Sequence, residues 1–119
     1  MMTPWGLATR IIDLEPGISF VVTNQHGGIV VAMDYAEKNL SYPARKRGLS
    51  FENYYTYEMD CAWAIVLWEL SHLRGPLGEK GRSDSESFPE RQLAAILTKR
   101  FPDYLSEYWA LKSYALCRP

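Results

Sequence analysis

The hydrophobic pattern of the N-terminal part of the chain consists of short apolar runs separated by turn residues. The runs occupy residues 7–14, 18–23 and 29–32. They are rich in β-branched side chains, and Pro16-Gly17 and Gly27-Gly28 lie in the breaks between them. Pro-Gly and Gly-Gly pairs favour tight turns, and β-branched runs of this length are typical of strands. The pattern predicts a three-stranded antiparallel sheet over residues 6–32.

The pattern changes to helical spacing in the middle of the chain. Between residues 61 and 70 almost every side chain is apolar and Glu69 carries the only charge. A helix with this composition is hydrophobic on nearly all sides and must be covered by other elements. We interpret residues 54–73 as a central buried helix packed on the sheet. A membrane span needs on the order of 20 uncharged apolar residues. Because Glu58, Asp60 and Glu69 interrupt this stretch, no membrane association is expected.

The remaining segments complete a single α+β domain over residues 1–119. Residues 33–53 are polar and mixed, and are interpreted as a connector with a short helix that Asp34 caps and that ends at Asn39. Residues 74–87 are rich in glycine, serine and charge, which predicts an exposed mobile loop. Helical spacing resumes and is interrupted at Pro102, so a helical hairpin is expected over residues 88–117.

Composition narrows the class of protein. The chain has 119 residues, enough for one domain with its own core, and its 13 basic and 14 acidic residues give a net charge of -1. This balance argues against a protein whose main work is binding a polyphosphate. The N-terminus lacks the basic segment and apolar run of a signal peptide, so a cytoplasmic location is expected. The two cysteines, Cys61 and Cys117, are then expected to be reduced.

The segment Thr23–Gly28 contains a histidine followed by two glycines. Such a sequence also occurs in the oxyanion-hole loops of some esterases. A Gly-x-Ser-x-Gly motif is missing from the chain, so a serine triad is not supported. The simpler interpretation is a turn in which Gly27 and Gly28 supply positive φ and His26 forms a hydrogen bond across it.

A second hypothesis assigns chemistry to the same histidine. His26 next to Glu58 or Asp60 would form a general base for hydrolysis. As residues of a first helical turn, the two acids are also explained by the helix dipole, and His72 suits the opposite helix end. The close pairs of ligands that zinc sites use are missing among the histidines, cysteines and these two acids. We therefore expect neither a metal nor a cofactor.

One basic cluster is a candidate binding surface. Arg45, Lys46 and Arg47, with Tyr54 and Tyr55 near them in sequence, combine cations with rings on which bases stack. The simpler interpretation is a solvated connector beside aromatic core residues. The chain also has 4 Trp and 8 Tyr, residue types that anchor protein interfaces when they are exposed.

Several short motifs occur along the chain. In chain order they are Thr3-Pro4-Trp5-Gly6, Pro16-Gly17-Ile18, Thr23-x-x-His26-Gly27-Gly28, Asn39 with Pro43, and Tyr57-Glu58-x-Asp60-Cys61-x-Trp63-Ala64. Together these motifs resemble a known family of small domains of unknown function, found on phages and on mobile elements of bacteria. The chain differs from the family pattern at Thr56 and Ala62. The resemblance implies a biological setting and no particular reaction.

The functional prediction follows from this setting. Small phage proteins often bind and disable a host machine, so the resemblance implies a non-enzymatic binding protein. Its expected partner is a host protein or ribonucleoprotein complex, such as a CRISPR or restriction effector. Two alternatives remain: a small hydrolase using His26 with Glu58 or Asp60, and a nucleic-acid-binding module using residues 45–47.

Overall fold

The structure, a computed structural model, describes residues 2–74 and 89–117, with side chains as far as residue 113. The described residues form seven strands: β1 (Met2–Thr3), β2 (Gly6–Leu7), β3 (Arg10–Glu15), β4 (Ile18–Val22), β5 (Gly27–Ala32), β6 (Leu49–Phe51) and β7 (Tyr54–Glu58). They also form five α-helices and one 3₁₀-helix: α1 (Met33–Asn39), α2 (Tyr42–Arg47), α3 (Trp63–Glu69), the 3₁₀-helix Ser71–Leu73, α4 (Glu90–Arg100) and α5 (Pro102–Cys117).

The main sheet has five antiparallel strands in the order β3-β4-β5-β7-β6, and β1 pairs with β2 in a separate small hairpin. The predicted α+β class is confirmed, as are the C-terminal helices. The prediction of a three-stranded sheet is wrong. Strands β3, β4 and β5 do follow one another as expected, but β7 extends the sheet beyond β5 and β6 then forms its far edge.

The predicted central helix begins too early. Residues Tyr54–Glu58 form strand β7, and α3 starts only at Trp63. Tyrosine and threonine favour strands, and their alternation in this segment suits a two-sided sheet. Tyr57 is fully buried on the helical side, whereas Thr56 pairs with Val30 on the opposite side. The buried helix is therefore short.

The predicted connector contains regular structure. Residues 33–53 form α1, α2 and β6. Helix α2 is capped by Ser41, whose Oγ accepts a hydrogen bond from the Ala44 N–H at 3.2 Å, and Pro43 lies in its first turn. The short helix expected up to Asn39 is α1, although Ala32 and not Asp34 occupies its N-cap. Polar composition concealed α2 and β6, because both are short. The predicted mobile loop lies outside the described residues, apart from Arg74.

The core lies between one face of the sheet and the helices. Its fully buried larger side chains include Ile18, Ile29, Val31, Tyr57, Ile65, Leu67, Leu73, Leu93, Leu97 and Tyr104. Burying one leucine or isoleucine stabilises the fold by roughly 1.5–3 kcal/mol relative to exposure. Arg74 closes the end of α3, because its Nε donates to the Leu67 carbonyl at 2.9 Å. No helix within residues 2–74 and 89–117 is long and apolar enough to cross a membrane.

The opposite face of the sheet, here called the outer face, has only a partial cover. The β1–β2 hairpin lies over Val30 and Thr56 and places the ring of Trp5 against Gly28. Val30 is buried although it points away from the helices. The hairpin does not extend over the part of the outer face near β3 and β4, where the described residues form a hollow. Ile11 in β3 is 47% exposed there.

Candidate functional site

His26 lies at the end of the loop that joins β4 to β5. The loop is closed by Thr23, whose N–H donates to the His26 carbonyl at 2.8 Å. The Thr23 hydroxyl also donates to that carbonyl at 3.0 Å and accepts the His26 N–H at 3.1 Å. These local bonds satisfy the backbone of His26 and leave its imidazole at the surface.

The imidazole of His26 contacts Glu58. The Nδ1 atom lies 3.0 Å from Oε1 of Glu58, and the two side chains are 51% and 40% exposed. Sheet register creates this contact, because Glu58 pairs with Gly28 across β5 and β7. The structure thus brings together two of the three residues of the hydrolase hypothesis. Asp60 lines the same open hollow of about 390 Å³, to which Gln25 and Met59 also contribute.

Asp60 has a different partner. It forms a hydrogen bond with the thiol of Cys61, and burial together with this bond raises the pKa of Cys61. Cys61 is therefore held as a thiol and not as a reactive thiolate. Within the described parts of the chain, no three His, Cys, Asp or Glu side chains lie close enough to hold a metal ion.

Gly27 and Gly28 do not supply positive φ, so that prediction is wrong. Both lie in strand β5, and among the described glycines those with positive φ are Gly6 and Gly17. The structure requires Gly28 for space. A Cβ atom at Gly28 would overlap the carbonyl oxygen of Tyr57 and lie 2.6 Å from the indole of Trp5. The two glycines are therefore needed because neighbouring groups pack closely against β5, and not because a turn requires positive φ.

The basic cluster is largely occupied by one carboxylate. Arg47 forms two hydrogen bonds to Glu107 in α5, with Nη2–Oε2 at 2.6 Å and Nη1–Oε1 at 3.2 Å. Lys46 Nζ lies 2.7 Å from the same Oε1 atom. Arg45 lies beside the exposed ring of Tyr42, with its guanidinium carbon 5.9 Å from the ring centre. Two of the three predicted cations therefore join α2 to α5.

The predicted tyrosines do not extend this cluster into one surface. Tyr54 and Tyr55 are neighbours in β7, so their side chains point to opposite sides of the sheet. Tyr55 packs against the helical core. Tyr54 lies on the outer face.

The ion pair at Glu107 predicts a pH-dependent stability. Hydrogen bonds from Arg47 and Lys46 lower the pKa of Glu107 from 4.5 to about 2. The unfolded chain therefore binds more protons between these values, so the contribution of Glu107 is complete above pH 4.5 and is lost as the pH falls toward 2. Glu107→Gln should lower the Tm at pH 7 but not at pH 2, as measured by circular dichroism. Glu90→Gln, at an exposed carboxylate outside this pair, is the control, and an equal Tm difference at both pH values would contradict the prediction.

Two hollows on the open part of the outer face were not predicted from the sequence. The larger, of about 710 Å³, has a floor of Ser19, Val30 and Ala32 between β3 and Tyr54. The smaller, of about 460 Å³, lies between Tyr54 and the start of α1. They share Ala32 and Tyr54, and together are called the outer groove. The exposed apolar residue Ile11 in an edge strand was the available signal.

Comparison with known protein families assigns the chain to a family. The family model for a domain of unknown function, DUF7007, matches residues 1–113. The chain belongs to the DUF7007 family. No curated protein matches this DUF7007 chain significantly. No solved structure matches it significantly either. The expected membership in a family of unknown function is confirmed at this level, and family membership assigns no reaction.

One further contact of the DUF7007 chain joins the rim of the outer groove to the helices. Glu15 accepts a hydrogen bond from the Tyr35 hydroxyl at 2.9 Å, and its other oxygen lies 2.6 Å from Nε2 of His72. Burial and the neighbouring Glu15 raise the pKa of Tyr35 to about 12. The tyrosine therefore stays a neutral donor at physiological pH. His72, which the sequence assigned to a helix end, instead ties the β3–β4 turn to the end of α3.

Proposed function

We propose that this DUF7007 chain is a non-enzymatic binding protein of a phage or mobile element, which inhibits a host protein complex such as a CRISPR or restriction effector. The observation that supports the binding function is the outer groove, where the described residues cover one half of a sheet face and not the other. Apolar surface left open in this way is typical of protein interaction sites. The setting and the inhibitory role are supported by the motif resemblance.

The exposed apolar side chains support a protein partner. Ile11 borders the outer groove, and Met2 and Leu7 are each more than half exposed on the adjoining hairpin. Interfaces bury apolar and aromatic anchors and surround them with polar groups. A surface built from β3, β4 and the N-terminal hairpin has this composition.

Affinity purification from a bacterial host, followed by mass spectrometry with and without nuclease treatment, tests the proposal. We expect a stable protein partner that survives nuclease. Ile11→Lys should reduce its recovery, whereas Leu111→Lys should not. The two positions are matched, at 47% and 46% exposed, but Leu111 lies on α5, on the helical side. Absence of a protein partner, or a partner held only through nucleic acid, would refute the proposal.

The contact between His26 and Glu58 favours a second candidate, a small hydrolase. A carboxylate orients an imidazole, which can then accept a proton from water through its other nitrogen. Both groups are exposed, so the pair lacks the water-excluded surroundings that strengthen catalytic electrostatics. This is why binding is the preferred function.

Purified protein screened against ester, phosphodiester and nucleotide substrates tests the hydrolase. His72→Ala is a matched control for His26→Ala, because both imidazoles are exposed and contact a glutamate. A hydrolase would lose its turnover with His26→Ala alone, by on the order of 10²–10⁴-fold. We expect no turnover in any of the three proteins. Activity that depends on His26 would replace the binding function with the enzymatic one.

A further inference from the structure

The β1–β2 hairpin presents an uncharged apolar surface. Met2 and Leu7 lie directly opposite each other in its register, so their side chains share one face. They are 55% and 64% exposed, whereas Thr3, on the other face of the hairpin, is buried. Residues 2–9 contain no aspartate, glutamate, lysine, arginine or histidine. The exposed side of the hairpin can therefore leave water without the cost of burying a charge.

The larger hollow of the outer groove lies beside this hairpin. It has a volume of about 710 Å³, with Val30 in its floor and Ile11 at its border. Val30 and Tyr54 also line the space under the hairpin, so the hairpin and the hollow are neighbours on the outer face. The face thus has a protrusion and a depression side by side, and both carry apolar side chains.

The two carboxylates that line the larger hollow already have partners within the chain. Asp13 accepts a hydrogen bond from the Ser19 hydroxyl at 2.8 Å. Glu15 accepts one from the Tyr35 hydroxyl at 2.9 Å and lies 2.6 Å from Nε2 of His72. An uncharged occupant leaves these pairings intact and brings no unpaired charge into the hollow.

A protrusion next to a matching depression makes the outer face complementary to itself. In a symmetric dimer, the same patch of both copies forms the interface. A two-fold axis that lies in the interface, between the hairpin and the larger hollow, places the hairpin of each copy over the hollow of the other. Each hollow then receives the kind of cover that the hairpin gives to the rest of its own face.

We propose that the free chain forms a symmetric dimer in which the β1–β2 hairpin of each copy lies in the larger hollow of the other. Met2 and Leu7 of one copy then meet the Ile11 border of the second copy. With about 4.8 Å between strands and about 3.3 Å per residue, five strands of about five residues give roughly 400 Å² of face per copy. About 800 Å² over both copies is at the low end of protein interfaces, so the dimer is weak and dissociates on dilution.

The dimer goes beyond the proposed function and uses the same face of the sheet. A second copy and a host partner therefore exclude each other, and the dimer covers the apolar face until a partner displaces it. This competition rests on the proposed function, whereas the dimer itself does not.

Sedimentation equilibrium over a wide range of concentrations tests the dimer. We expect the average mass to rise with concentration from that of one chain towards that of two. Leu7→Lys and Ile11→Lys should each raise the dissociation constant by about tenfold or more, because each brings an unpaired charge into an apolar contact. Leu111→Lys, at a position 46% exposed on α5, is the control and should dimerise as the wild type does. Circular dichroism checks that each variant is folded.

A mixture of two variants tests the reciprocal arrangement of hairpin and hollow. In a mixed dimer of Leu7→Lys with Ile11→Glu, one contact is that of the wild type and the other pairs opposite charges. The mixture should therefore associate more tightly than either variant alone. A dimer that joins two hollows or two hairpins would not show this rescue.

Several outcomes would overturn the inference. A monomer at every concentration, equal weakening by Leu111→Lys, or a mixture that associates no better than its components would each do so. Affinity purification of two copies with different tags separates the inference from the proposed function. We expect the second tag in the free protein and not in the fraction that carries a host partner, and its retention there would contradict a shared face. A dimer without any host partner refutes the proposed function alone, and a monomer that binds a host partner refutes the dimer alone.

Discussion

Glu69→Ala is expected to lower the free energy of unfolding by about 3 kcal/mol. The Glu69 carboxylate lies at the end of α3 and accepts three hydrogen bonds. Ser41 donates its N–H at 2.7 Å and its hydroxyl at 2.6 Å, and Tyr104 donates its hydroxyl to the same oxygen as the Ser41 hydroxyl. Because Tyr104 is fully buried, its hydroxyl would lose its partner without gaining water. Each buried polar group left unpaired costs about 1–3 kcal/mol.

Two variants separate the hydrogen bonds of Glu69 from its packing. Glu69→Gln keeps the shape and one acceptor oxygen, and should cost about 1–2 kcal/mol. Tyr104→Phe removes a donor and should cost about as much, and in combination with Glu69→Ala it should cost less than the sum. Chemical denaturation at pH 7 measures all of them. Additive losses in the double variant would contradict a shared network.

The hydrogen bonds around Glu69 also predict how the stability of the protein changes at alkaline pH. Burial and the nearby Glu69 carboxylate raise the pKa of Tyr104 well above its ordinary value of 10.0. A group with a raised folded-state pKa contributes stability that is complete below the unfolded pKa and is lost as the pH rises above it. The wild type should therefore lose stability above pH 10 more steeply than Tyr104→Phe.

Gly28→Val is expected to destabilise the fold by about 3 kcal/mol or more, or to prevent folding. The added side chain would meet the backbone of β7 at Tyr57, which no rotamer change can relieve, and the ring of Trp5. The conflict would force apart two central strands of the sheet. Equilibrium denaturation, or the soluble yield where the variant does not fold, measures the loss.

Two substitutions locate the cause of that loss. Gly27→Ala should cost less than Gly28→Ala, because its Cβ would lie under 3 Å only from the Val21 carbonyl oxygen, at 2.8 Å. Adding Trp5→Ala to Gly28→Ala should restore only part of the stability, since the Tyr57 carbonyl remains. Full restoration would show that the contact with Trp5 in the hairpin, and not the contact with the backbone of β7, causes the loss of stability.

The sequence predicted the elements whose pattern is local and missed those that depend on pairing. Strands β3, β4 and β5 were found because β-branched runs and turn residues mark them directly. Residues 54–58 were assigned to a helix, since an aromatic segment joined to an apolar run has no unambiguous period of its own. Its partner β6 has three residues, too few to show any period. Strand β7 forms because it pairs with β5, and β6 forms because it pairs with β7.

The candidate sites likewise depend partly on local sequence and partly on contacts between distant segments. The sequence offered either Glu58 or Asp60 as a partner for His26 and placed both acids on a helix, whereas sheet register brings Glu58 into contact with His26. The sequence marks the outer groove only through the apolar residue Ile11 in an edge strand. Its lining residues come from β3, β4, β5, β7 and the start of α1. Side chains from separate elements meet only when strand order is known.

The amino-acid sequence by itself determined the α+β class, the burial of the apolar run at residues 61–70, and the breaks at Pro-Gly and at Pro102. These depend on local dihedral preferences and on how apolar residues are spaced, which each segment carries within itself. The tertiary structure alone decided which face of the sheet is covered, why Gly28 cannot hold a side chain, and which cations are paired. These depend on distances between segments far apart in the chain, and a close approach across β5 and β7 or between α2 and α5 arises only from packing.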